Sequence, residues 1–192
     1  MTTAFETLRQ RIFDIIVSGR GADSSLGPDA LQKSIPTGRF RASTDRSPLQ
    51  DPSYPATTFD RAVHLEWVSD EDDADNNPLT SPQFMLARIT ISHGIYYGTG
   101  VSAFLSAATG ETRATVALTP QERGLNDALR IKRALACPDL LRGGTTIDPV
   151  PLGCTREGAT SLVDLGGGRL LVVTQYALRY QTSNTTSYDP AP

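Results

Sequence analysis

Residues 84–97 read FMLARITISHGIYY, and residues 169–181 read RLLVVTQYALRYQ. In the first run Met85, Ala87, Ile89, Ile91, His93, Ile95 and Tyr97 fall on one face, opposite Arg88, Thr90, Ser92 and Gly94. In the second, Leu170, Val172, Thr174, Tyr176, Leu178 and Tyr180 share a face opposite Gln175, Ala177, Arg179 and Gln181. Period-two alternation is the mark of a strand with one buried face. Strands usually run about five or six residues, so both runs read about twice the usual length. A strand that overhangs its own core needs another surface along its edge. The two runs therefore point to assembly before catalysis.

Working outward, residues 61–68 predict a shorter strand with Val63, Leu65 and Trp67 on one face. The acidic stretch 70–78 (DEDDADNNP) then leads into the long strand, and an antiparallel hairpin is the simplest connection. Residues 112–118 predict a short strand, 142–158 a loop, and 161–165 a short strand. Gly166, Gly167 and Gly168 then turn the chain into its last long strand. Two helices flank these elements. Thr3 and Glu6 form a capping box, and Leu8, Ile12, Ile15 and Ile16 follow at helical spacing, so a helix is expected over 4–18 with Gly19 as its stop. Thr119, Pro120 and Glu122 repeat the signal, and Leu125, Ala128, Leu129, Lys132 and Leu135 continue a stripe over 120–136. The expected core is Leu8, Ile12, Ile15, Val63, Leu65, Ile89, Ile91, Leu125, Leu129, Leu135, Val172 and Tyr176. The fold class is α+β: a mainly antiparallel sheet with two helices packed on one face, long loops and an extended hairpin. One domain is expected over 1–183, with a mobile C-terminal tail over 184–192.

Residues 20–58 carry no periodicity and five prolines, Pro28, Pro36, Pro48, Pro52 and Pro55. A loop this long is uncommon inside a compact domain, and ordering by other chains is expected. Its one sticky segment is Arg39-Phe40-Arg41, an aromatic between two guanidinium groups. Candidate contacts to another subunit or partner are Arg39, Phe40 and Arg41 here, and Arg88, Ile95 and Tyr96 on the long strand. Fourteen residues of strand span about 46 Å, against a radius of gyration of about 16 Å for a globule of this size. The hairpin 61–68/84–97 is thus the expected main contact in a closed ring.

The net charge of −3 supplies no basic footprint for tight nucleic-acid binding. No apolar stretch of signal-peptide type or membrane-span length occurs, so no membrane association is expected. Cys137 and Cys154 lack metal-ligand spacing and are expected as free thiols. Gly98-Thr99-Gly100-Val101-Ser102-Ala103 fits a dinucleotide pattern after a strand, but the strand alternates and no acidic partner follows at the required spacing. Residues 73–77 begin like a calcium loop, yet Pro78 stands where glycine is needed and Phe84 where a bidentate glutamate is needed. His64 and His93 lie on strands, and Ser92 points away from His93. No cofactor, metal or catalytic constellation is expected, and the chain reads as a non-enzyme.

A capped N-terminal helix, a long loop, an antiparallel hairpin, a second helix and a long final strand with alternating aromatics (Tyr176, Tyr180) follow in that order. This order resembles the tail-terminator family of long-tailed bacteriophages and related neck proteins. The resemblance implies a structural virion protein, assembled in the host cytoplasm into a ring that is usually hexameric. Such a ring caps the tail tube, stops its growth and joins it to the head connector. The implied partners are further copies of the chain, the tail tube protein and a head-closure or connector protein. Genome DNA passes through the lumen without tight binding. The family has no catalytic residues to carry over. The extended loop at 20–58 departs from the usual member, which leaves head closure or another neck ring as the alternative. A small nucleotide-binding enzyme is the remote one.

Overall fold

The computed structural model describes residues 4–18, 41–43, 47–72, 83–98, 112–113, 116–117, 119–136 and 149–182. Its elements in order are α1 (Ala4–Ser18), β1 (Arg41–Ser43), the helical turns α2 (Ser47–Gln50) and α3 (Ala56–Phe59), β2 (Ala62–Asp72) and β3 (Gln83–Tyr96). A two-residue ladder, β4 (Thr112–Arg113) with β5 (Val116–Ala117), precedes α4 (Pro120–Leu135), β6 (Val150–Gly166) and β7 (Arg169–Thr182). The main sheet has the order β1-β2-β3-β7-β6. All its pairings are antiparallel except the short parallel one between β1 and β2. The fold is α+β and mainly sheet.

The alternation read from the sequence sets the layers. Val63, Leu65, Ala87, Ile89, Ile91, Tyr176, Leu178 and Tyr180 form one apolar cluster with Leu8, Ile12, Phe13, Ile15 and Ile16 of α1 and with Ile131, Ala134 and Leu135 of α4. Both long helices thus cover the same face of the sheet. α4 opens with the expected capping box: Thr119 Oγ1 accepts from the Glu122 amide at 3.2 Å, and the Glu122 carboxylate accepts from the Thr119 amide at 2.8 Å. Thr3, the expected cap of α1, lies outside the described residues.

Three expectations are corrected. Leu125 and Leu129 are not core residues; they are 41% and 39% exposed. The buried face of α4 is instead Arg123, Gly124, Asp127, Ala128, Ile131, Ala134 and Leu135. Gly124 sets that rotation: a Cβ there would stand 2.8 Å from the Val172 side chain, so the helix backbone touches the sheet at this point. Arg123 and Asp127 can be buried beside it because each meets an opposite charge, which an apolar stripe cannot reveal. Next, residues 150–158 are not loop but the first half of β6, a strand of 17 residues. β6 is an edge strand, interrupted by register shifts at Pro151/Gly153, Glu157/Ser161 and Asp164/Gly166. Bulges and an edge proline erase the alternation that a sequence reading depends on. Finally, the strand at 61–68 extends to Asp72, so the acidic stretch begins as sheet.

The opposite face is half covered. α2 and α3 bring Leu49 and Phe59 onto Ala62, Tyr96 and Leu171. Gly94 makes this fit possible, because a Cβ there would lie 2.4 Å from the Phe59 carbonyl oxygen. Thr90 and Ser92, expected on an open face, are buried.

Candidate assembly surface

A buried ionic cluster stands at the start of β2. Arg61 has φ +56°, a strained backbone for a residue with a Cβ. Its amide donates to the Gly94 carbonyl at 2.7 Å. Its guanidinium forks onto Asp127 of α4, Nε to Oδ2 at 2.7 Å and Nη2 to Oδ1 at 3.2 Å. These side chains are 5% and 1% exposed, so the pair is effectively out of water. Arg123 repeats the device, reaching Asp60 at 2.9 Å and the Tyr96 carbonyl at 3.2 Å. Asp60 also accepts from the Tyr96 amide at 2.9 Å. The cluster ties α4 to β2 and β3 at one end of the sheet. His93 lies within its field. Burial pushes its pKa down to about 4, with the Arg61 and Arg123 charges in the same direction and Asp127 and a Gly124 backbone hydrogen bond opposing. The imidazole is neutral near pH 7, as a core histidine would be.

At the other end the second face of the sheet stays open. Leu86 stands opposite Arg179, and Arg179 opposite Gly153; Arg88 stands opposite Ala177, and Ala177 opposite Thr155. The small residues Ala177 and Gly153 leave a channel between Phe84 and Leu86 on one side and Leu152 and Glu157 on the other, an open groove of about 680 Å³. Arg88 stands at its rim, 3.0 Å from Glu71 and 3.7 Å from Glu157. All three side chains are 39–49% exposed. Such pairs contribute at most about 1 kcal/mol; they orient the rim more than they stabilise the fold.

The six sequence-derived contact residues fare differently. Arg39 and Phe40 lie outside the described residues. Arg41 begins β1, where it pairs with Ala62. Arg88 is on the open face. Ile95 is fully buried with Tyr97, Ala128, Leu170 and Val172, so its side chain is core and not a contact to a neighbour. Tyr96 is half-buried against Leu49, Phe59 and Ala62. The edge argument is also corrected. All fourteen residues of β3 pair with β7, and its other side pairs with β2. Among the described residues the long open edges are β6 and the part of β2 beyond its pairing with β1, which ends at His64. Among the described residues, the exposed large apolar ones, Val68, Leu125, Leu129, Val163 and Leu165, are on β2, α4 and β6. Sequence reading missed them because exposure depends on neighbours remote in the chain.

Among the described residues no group of three or more His, Cys, Asp or Glu could hold a metal ion. Cys154 is buried, and burial alone raises its thiol pKa to about 12, far from a reactive thiolate. Cys137, residues 73–77 and most of the glycine pattern lie outside the described residues; its first residue, Gly98, adopts φ +93°. No helix among the described residues is long and apolar enough to cross a membrane. The sequence matches no family model and no curated protein.

Proposed function

We propose that this chain is a structural virion protein, a ring-forming tail terminator that caps the tail tube and joins it to the head–neck connector. The carrying observation is the sheet itself: helices cover one face, while the other presents an open groove rimmed by Arg88, Glu71 and Glu157 beside two long strand edges. Open edges and exposed apolar side chains are features that proteins bury in partners. The neck position rests on the order of elements from capped helix to final long strand. In this reading copies of the chain surround the genome path, and the tail tube protein and connector bind the ring's two faces. The duplex slides through without tight contact, in keeping with the net charge of −3.

Native mass spectrometry and negative-stain imaging of the purified chain, alone and mixed with tail tubes, test the reading. A closed ring seated at tube ends is expected, with no duplex binding at physiological salt. A folded chain that stays monomeric at high concentration and in the presence of tubes and connectors defeats it. Sub-micromolar DNA affinity defeats the sliding-lumen part.

A further inference from the structure

Residues 47–59 sit on the second face of the sheet with few ties to the rest of the fold. α2 and α3 are single turns of helix, too short to persist without tertiary support. Their apolar anchors, Leu49 and Phe59, meet Ala62, Tyr96 and Leu171 in a small cluster distinct from those that α1 and α4 cover. Gln50, Asp51, Pro52, Ser53 and Pro55 are exposed. Toward β6 the packing is incomplete: an open cleft of about 370 Å³ is lined by Leu49 and Pro52 of this segment and by Leu165 and Gly167 at the β6–β7 turn. The backbone hydrogen bonds of the segment are local. The Tyr54 amide donates to the Asp51 carbonyl, the Ser53 amide to the Asp51 carboxylate, and the Thr58 and Phe59 amides to the Pro55 carbonyl. The sheet reaches the segment through Arg169, the first residue of β7. Its guanidinium donates to the Asp51 carbonyl at 3.2 Å and to the Tyr54 carbonyl, and it lies 5.3 Å from the centre of the Phe59 ring. One side chain thus grips both the turn between α2 and α3 and the apolar anchor of α3. Beyond Phe59 the chain is fixed, because Asp60 is held by Arg123 and the Tyr96 amide, and Arg61 by Asp127 and the Gly94 carbonyl.

We infer that residues 47–59 form a strap that lifts from the sheet and returns as a unit while the rest of the fold stays closed, with Arg169 as its latch and Asp60–Arg61 as its fixed end. The inference stands apart from the ring reading and needs none of its partners. Segments that open locally are those with few buried apolar contacts and an exposed backbone, and this segment has both. Lifting the strap uncovers Tyr96 on β3 and Leu171 on β7, which Leu49 and Phe59 cover when it is closed. Leu171 pairs with Val163 of β6, which is already 44% exposed, and paired residues share a face of the sheet. The open state therefore presents an apolar strip across three strands that the closed state hides in part.

Hydrogen exchange of the full chain, read by mass spectrometry, tests the strap. In the wild type, peptides covering residues 51–59 are expected to exchange faster than those of β3 and β7. Their exchange should also depend much less on added urea, because lifting the strap exposes far less surface than global unfolding. Arg169→Ala removes two hydrogen bonds and a cation–ring contact, and should speed exchange in the strap about tenfold. Protection in α1, β3 and α4 should stay as in the wild type. Equal rates and equal urea dependence for the strap and β3 in the wild type overturn the strap, and that measurement decides alone if Arg169→Ala fails to fold. A folded Arg169→Ala chain whose strap exchanges at the wild-type rate, or whose exchange rises equally over β3 and α4, overturns the latch.

Discussion

Replacing Asp127 by alanine removes the carboxylate that the Arg61 guanidinium grips through two hydrogen bonds, 2.7 and 3.2 Å long. Arg61 is 5% exposed at its side chain and cannot reach water without moving the start of β2. Its amide is held by the Gly94 carbonyl and its φ is already strained, so the backbone has little freedom to follow. Asp60, the other carboxylate of the cluster, is engaged by Arg123 and by the Tyr96 amide. Breaking a buried ion pair from one side costs about 3–5 kcal/mol, because the other charge stays behind. For a chain of this length each kcal/mol corresponds to about 2–4 °C in melting temperature, so a fall of roughly 6–20 °C is expected. Arg130→Ala is the control. Arg130 approaches Asp127 at 3.5 Å but is 32% exposed, and its loss should cost no more than about 1 kcal/mol. Urea unfolding followed by circular dichroism measures both. A loss below about 1 kcal/mol in Asp127→Ala would refute the claim that this pair holds α4 to the sheet.

Gly94→Ala should cost about 1–3 kcal/mol by overpacking, since the new methyl meets a backbone carbonyl 2.4 Å away that cannot rotate aside; an unchanged urea midpoint counts against the close approach of α3. His93 contributes a pH dependence of definite sign. Its folded pKa of about 4 lies below the ordinary value of 6.5, so the unfolded chain takes up a proton first. Stability should therefore fall as pH drops from about 6.5 towards about 4, and His93→Gln should flatten that part of the profile in urea titrations at successive pH values. Ile95→Asp should abolish folding by circular dichroism, whereas Arg88→Glu should leave folding within about 0.5 kcal/mol of wild type and weaken assembly; a folded Ile95→Asp chain would contradict the core assignment.

Local chemistry was legible in the residues. The Thr119–Glu122 box and the leucine–isoleucine stripe of α1 specify helices through backbone capping and 3.6-residue spacing, which need no distant partner. The alternation in β3 and β7 specified which face is buried, and Leu8, Ile12, Ile15, Leu135, Val63, Leu65, Ile89, Ile91, Val172 and Tyr176 are core as expected. Arg88 was legible as an outward residue for the same reason. What the tertiary structure alone decided were the features that depend on contacts between remote segments. The rotation of α4 follows from Gly124 touching Val172 and from Asp127 meeting an arginine 66 residues away, and so Leu125 and Leu129 are turned outward. β6 owes its strand to pairing with β7, since its own sequence, broken by Pro151, Gly153 and Gly158, has no period to declare it. The groove is lined by the small residues Ala177 and Gly153, which come together only diagonally across the β6–β7 ladder. A sequence encodes each residue's size and polarity, but a surface is made by which residues become neighbours, and that is decided only when the sheet closes.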